Sequence, residues 1–254
     1  MFFFEVVCQK HGKLRIARPE TVADSDSDDL AEVLSPPRVV PWARAVNLKA
    51  SLSIDMLTGT DLLTMAGRAY LSLALLRARP LLLILSPPCT MYSMLTWCFV
   101  RGRTAAATWS AKMRDAMALL TLAMDLAARQ VSAGRYFVFE HPATAKSWRT
   151  AAVRNVCALA GVRIVTFDQC CFGLVSPGGR PLRKRTSFMT NCSCVAQAFD
   201  GMLCQCSEPH RHIIGVELGQ RLSSWASMYP PALCRELARC AWLRRQHELE
   251  QAAV

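Results

Sequence analysis

The sequence predicts an α/β fold: a Rossmann-like, mostly parallel sheet with helices on both faces, plus a small Cys/His-rich appendage. Three observations carry that prediction. Short apolar runs alternate with longer helix-patterned segments along most of the chain, which is the order of βαβ units with right-handed crossovers. One run, LLLIL at 81–85, is apolar without interruption, as a strand buried on both faces must be. And 254 residues of which 52% are hydrophobic suffice for the core of one such domain.

The elements follow in order. Residues 1–29 read as an N-terminal extension, with a short strand in FFFEVV and a solvated acidic linker in DSDSDD (24–29). The α/β domain is expected over 30–191. LAEVL (30–34) is a strand closed by Ser35, Pro36 and Pro37, and VVPWARAVNL starts a helix with Pro41 in its first turn. SLSIDML (51–57) is the next strand, Thr58 to Asp61 a turn, and 62–78 a helix that Pro80 ends before LLLIL. Residues 110–133 form the clearest helix. Met113, Met117, Leu120, Met124, Ala127 and Val131 share one face, with Ser110 as the cap at its start and Gly134 at its end. YFVFE (136–140), VRIVTFD (162–168) and TSFMTN (186–191) are strands, with a helix around 147–160. Residues 192–215 read as an irregular Cys/His-rich module. The segment 216–254 returns to the domain through a helix entered at Pro230 and Pro231.

Lys and Arg number 30 against 19 Asp and Glu, a formal charge of +11, which points to an anionic partner, nucleic acid first. A basic surface without a partner fits the charge equally well. No apolar stretch reads as a membrane span, because Arg77, Arg79 and Pro80 break the longest, 69–85. MFFFEVVCQK lacks the basic start and long apolar run of a secretory leader. The twelve cysteines are therefore read as reduced thiols of an intracellular protein, in the nucleus or cytoplasm, serving as core, catalytic or metal-bound groups.

Ligands of open α/β sheets bind beyond the carboxyl ends of the strands, and three predicted strand ends carry reactive groups: Cys89 after LLLIL, Glu140 closing YFVFE, and Asp168 with Gln169 and Cys170 after VRIVTFD. Two prolines before Cys89 stiffen the loop that presents it, as a nucleophile requires. Singly, each has an ordinary alternative: an inert buried thiol, a solvated carboxylate, a solvated basic loop at Arg180 to Arg185.

Their order changes the weighing. SPPCTMYS (86–93) resembles the Pro-Pro-Cys loop of DNA cytosine-5 methyltransferases. Glu140 in FEHP stands where that family has Glu-Asn-Val. FDQCCFGLVSPGGRPLRKRTSFMTN (167–191) resembles its Gln-x-Arg-x-Arg motif and following strand, and YPPALCRELA (229–238) its last motif. The likeness spans four motifs in order over roughly 150 residues and is nearest to methyltransferase-like modules of retroelement polyproteins. It implies S-adenosylmethionine-dependent methylation of cytosine in DNA, on a flipped-out base. Cys89 would add to carbon 6, Glu140 would hold the ring edge, and Arg185 with Arg183 would bind the base oxygen or a phosphate. Cations beside the thiol would lower its pKa. The cofactor is expected around Ser35, Asp55, Asp61 and Pro87, with Asp55 on the ribose and Asp61 on the adenine amine. The first-motif segment EVLSPPRVV (32–40) holds no glycine, and prolines neither donate N–H bonds nor take positive φ. That departure supports an alternative: a nucleic-acid-binding module of a mobile element that keeps the fold and has lost the cofactor. A Cys-rich structural α/β domain is the third reading.

Between the arginine motif and the last motif lie Cys192, Cys194, Cys204, Cys206, His210 and His212. Thiols and imidazoles at this density suit zinc, which takes four in a tetrahedral set. The set read from the sequence is Cys204 or Cys206 with His210 and His212, and Cys170 from the sheet. Unligated thiols in a loop are the alternative.

Overall fold

A computed structural model describes residues 27–253. The elements along the chain are β1 (Leu30–Val33), α1 (Val40–Ala45), β2 (Ser53–Ile54), α2 (Met65–Ala78), β3 (Leu82–Leu85), α3 (Met94–Phe99), α4 (Ala106–Ser132), β4 (Tyr136–Pro142), α5 (Ala151–Cys157) and β5 (Arg163–Asp168). After them come β6 (Leu182–Arg183), β7 (Arg185–Thr190), α6 (Ser193–Phe199), β8 (Arg211–His212), β9 (Val216–Glu217), β10 (Gln220–Arg221), α7 (Leu222–Trp225) and α8 (Pro231–Ala252). Six strands form the central sheet in the order β2-β1-β3-β4-β7-β5. All neighbours run parallel except β7, which is antiparallel to both β4 and β5. The predicted mostly parallel α/β architecture is the observed one.

Side-chain alternation sorts the core into two layers. Leu30, Leu82, Ile84 and Val138 face α1, α6 and α8, where they meet Val40, Phe199 and Leu237. Ala31, Val33, Leu83, Leu85, Phe137 and Phe139 face α2, α4 and α5, where they meet Leu71, Leu120, Met124 and Val153. At roughly 25 cal/mol per Å2 of apolar surface removed from water, these two layers are the main force holding the fold. The chain leaves β1 for β2 on one side and returns to place β3 on the other. The strand order therefore reverses at the β1/β3 boundary, the position at whose carboxyl ends open α/β sheets bind their ligands.

Several expectations need correction. The FFFEVV strand lies outside the described residues. The acidic stretch is no solvated linker where it is described. Asp28 and Asp29 are buried. Asp28 accepts hydrogen bonds from the N–H and hydroxyl of Ser51, and Asp29 accepts from Lys49 N–H and pairs with Arg245 at 3.1 Å. Both carboxylates find backbone donors at the start of the sheet, so burial costs them little. The strand expected over 51–57 shortens to Ser53–Ile54, because Asp55 bends the chain into a 3-10 turn and caps it from its side chain. The long helix begins at Ala106, so Ser110 lies inside it rather than capping it; Gly134, at φ 69, does terminate it. Met117 on its expected apolar face is 55% exposed. The segment after residue 191 is not irregular at its start: Ser193–Phe199 is helical and packs on the sheet, with Cys192 buried in the core. No described helix is long and apolar enough to cross a membrane.

Candidate functional site

Two proline loops follow β1 and β3 where the strand order reverses. After β1, Leu34 takes φ 59 and Ser35, Pro36 and Pro37 lead into α1. A left-handed conformation costs a leucine about 1 kcal/mol; the turn persists without a glycine. Glu32, fully buried on β1, holds it. Its Oε2 accepts the N–H groups of Arg38, Val39 and Val40 at 2.9, 2.8 and 2.8 Å, and its Oε1 accepts the Ser35 hydroxyl at 3.2 Å. Burial pushes the Glu32 pKa up, and the N–H bonds from Val40, Val39 and Arg38 pull it back. A carboxylate of the protein itself thus occupies the amide donors that open α1.

The residues expected to hold the cofactor make local hydrogen bonds. Ser35 is wholly buried and hydrogen-bonded to Glu32 and the Pro36 carbonyl. Asp55 accepts from Leu57 N–H, and Asp61 from Leu63 N–H, each closing its own turn. The Pro87 carbonyl accepts from His141.

That last contact builds the neighbouring strand ends. His141 is 0% exposed, its Nε2 3.0 Å from the Pro87 carbonyl and its Nδ1 2.6 Å from Ser147 Oγ. A carbonyl only accepts, so Nε2 carries the proton, and in the neutral ring Nδ1 then accepts from the Ser147 hydroxyl. Burial keeps the ring neutral, pulling its pKa down to about 4 despite the Glu140 charge. His141 thereby ties the Pro-Pro-Cys loop to β4 and stands on the face opposite Glu140.

Glu140, on the α8 face of β4, is buried, with Lys184 Nζ 3.6 Å from its Oε1. That distance is too long for a hydrogen bond, and no hydrogen bond from any described group reaches Oε1. Lys184 instead donates to the Ala226 carbonyl at 3.0 Å. Tyr229 closes this side: its hydroxyl bonds Ser86 Oγ at 2.9 Å, and Arg38 lies over its ring at 4.9 Å. Cys89, part-buried, feels all of these charges. Burial pushes its thiol pKa up and Glu140 adds to the rise, while Lys184 and Arg38 pull it down. The lowered thiol pKa expected from the sequence is therefore corrected, since loss of water outweighs the two cations.

The structure brings Cys89 and Glu140 together and supplies Lys184 as their cation. Arg183 and Arg185 take other places. Arg185 makes a two-pronged pair with Asp168, both bonds 2.9 Å, and Arg183 lines the same small cleft as Asp168 and Cys170. Side chains alternate along an extended segment, so Lys184 faces opposite to the arginines flanking it. Glu32, Lys184 and Tyr229 were missed in the sequence. Alternation through RKR separates Lys184 from its flanking arginines without saying which face meets Glu140; Glu32 left no signal beyond a charge inside an apolar strand.

A second cluster lies beyond β5. His210 Nε2 stands 3.3 Å from Cys170 Sγ, 3.4 Å from Cys204 Sγ and 3.4 Å from Cys206 Sγ, and the last two sulfurs are 2.9 Å apart. Two overlapping triads here could hold a metal ion: Cys204, Cys206 and His210, and Cys170, Cys171 and Cys204. His212 is not among them. It lies in β8, in register with Arg183 of β6, and makes no contact with these thiols among the described residues. Cys192 and Cys194 belong to α6 and its packing, not to this cluster.

No family model matches the sequence, and no curated protein matches it.

Proposed function

We propose that this chain is a nucleic-acid-binding module on a cytosine-5-methyltransferase-like scaffold, receiving one unstacked pyrimidine at Cys89, Glu140 and Lys184 without S-adenosylmethionine. The observation that carries the reading is the buried Glu140 Oε1 left without a hydrogen bond. A buried carboxylate oxygen without a donor is costly, and the exocyclic amine of cytosine is a donor of the kind it lacks. Lys184, at 3.6 Å from that carboxylate, offers the complementary N–H to the acceptor edge of the same ring. The charge of +11 supplies the sequence-independent attraction to phosphates. Against cofactor use stand Glu32 on the α1 amides and the local bonds of Ser35, Asp55 and Asp61.

Fluorescence anisotropy with short single strands tests the reading. A strand with one central cytosine should bind about tenfold tighter than one with an abasic centre, and Glu140→Gln should remove that preference while leaving the salt-dependent part intact. Equal affinity for both strands, or a preference that survives Glu140→Gln, overturns it.

A second reading is active cytosine-5 methylation, favoured by the His141 tether that fixes the Cys89 loop. It predicts a covalent adduct on 5-fluorocytosine DNA in the presence of S-adenosylmethionine that Cys89→Ser does not form. Absence of the adduct in the parent protein rejects it.

A further inference from the structure

We infer that Cys170, Cys204, Cys206 and His210 form a closed structural zinc site that fastens the 200–228 excursion to the end of β5. The proposal stands independently of the reading at Cys89. The four ligands come from two segments far apart in sequence. Cys170 lies in the turn directly after β5, and the other three in a loop with no helix and few strands of its own. Such a loop has little apolar surface to hold it, since Cys206 and Glu208 are exposed and only Leu174, Leu182, Leu222 and Ala226 form a small core beneath. A metal supplies the missing cross-link.

The imidazole is oriented for it. His210 Nδ1 lies 2.9 Å from the Glu208 carbonyl, an acceptor only, so Nδ1 carries the proton and Nε2 turns its lone pair towards the sulfurs of Cys170, Cys204 and Cys206. This backbone contact to the second ring nitrogen is the support that metal-bound histidines use. The thiols are supported too: Cys204 N–H donates to Asp168 Oδ2 at 3.1 Å, and Asp168 is held by Arg185. The spacings from His210 to the three sulfurs and from Cys204 to Cys206, 2.9–3.4 Å, are slightly tighter than a tetrahedron with zinc–ligand bonds of about 2.0–2.3 Å requires, so small shifts of the side chains, with Cys170 and Cys206 adjusting about His210, complete the set on binding. Cys171 is the one rival ligand, but among the described contacts His210 meets only the other three sulfurs.

The chemistry balances simply. Three Zn–S bonds and one Zn–N bond form, the thiol protons leave to solvent, and no group is oxidised or reduced. Zn2+ with three thiolates and a neutral imidazole carries a net charge of about −1; Arg183 and Arg185 line the same cleft, of about 120 Å3, and offset it. Four protein ligands leave no open position, so the ion's role is folding rather than catalysis. Cys206 is exposed, which gives the metal an entry path.

Elemental analysis of the full chain, purified under reducing conditions, should give one zinc per protein. Cobalt substituted for zinc should show the intense visible bands of a tetrahedral ion and sulfur-to-metal charge transfer from three thiolates. Cys170→Ser, Cys206→Ser and His210→Ala should each weaken zinc binding at least tenfold, whereas Cys171→Ser and His212→Ala should not change it. Zinc-free reduced protein that cannot be loaded, an octahedral cobalt spectrum, or a His212→Ala variant that loses metal while His210→Ala keeps it would each overturn the assignment.

Discussion

Two carboxylates sit one strand apart at the same edge of the sheet, and their surroundings are opposites. Glu32 at the end of β1 accepts three backbone N–H groups and a hydroxyl. Glu140, near the C-terminal end of β4, has one oxygen with no hydrogen bond and a lysine 3.6 Å away. Both are buried. The difference teaches where structure ends and function begins at these strand ends. A buried charge with every lone pair engaged is part of the scaffold, while one left short of donors is held there at a cost that something outside the chain can repay. On the proposed reading, the carboxylate of Glu32 takes the α1 amides that a cofactor would otherwise meet, while Glu140 keeps an oxygen for a base.

The largest test of that contrast is Glu32→Ala. It strips the acceptor from three α1 amides and the Ser35 hydroxyl, and unfolding experiments should show a loss of about 4 kcal/mol. A loss under 1 kcal/mol would mean Glu32 does not hold the turn.

Next comes pH. His141 has its folded pKa pulled down to about 4 from 6.5. Between those values the unfolded chain binds a proton that the folded one refuses, so stability falls as pH drops from about 6.5 to 4 and loses nothing further from this group below that. The loss is about 3 kcal/mol. His141→Gln, which can still reach both partners, should show a flatter curve across that window when subtracted from the parent. Unchanged slopes would contradict a buried neutral imidazole.

Lys184→Met should be smaller again. It leaves Glu140 buried without its cation and should cost about 2–3 kcal/mol, most of which Glu140→Leu in the same chain restores. A double variant no more stable than the single one would mean that the two do not act as a pair.

The Arg185–Asp168 pair should matter least. Arg185 is 43% exposed on its side chain, and Arg185→Lys, which keeps the charge but loses the fork, should shift thermal stability by the equivalent of about 1 kcal/mol or less.

Much of the fold was legible because its signals are local. LLLIL and YFVFE read as buried strands from composition alone and are β3 and β4. Pro41 and the Pro230–Pro231 pair marked helix starts that the structure has. What escaped were assignments that depend on distant partners. Asp28 and Asp29 look like a solvated run until Ser51, Lys49 and Arg245 are placed beside them. Ser110 looks like a cap, yet α4 extends upstream to Ala106 and includes Trp109, which packs against Trp97. In the site, Glu140 and the loop that carries Cys89 belong to the adjacent parallel strands β4 and β3, two runs that the sequence marks as strands. The cation was misread by one residue. Which member of RKR faces Glu140 depends on the register of an antiparallel strand, which nothing in the sequence sets. Of the Cys/His residues read from the sequence, Cys170, Cys204, Cys206 and His210 lie together, whereas His212 stands in β8 beside Arg183 of β6.

Calorimetric titration of the full chain with S-adenosylmethionine tests the contrast between the two strand ends most directly. With Glu32 seated on the α1 amides, we predict no measurable binding heat up to millimolar cofactor. A saturable heat with a micromolar Kd would contradict the account, because the strand end whose amides Glu32 takes would be the one that binds.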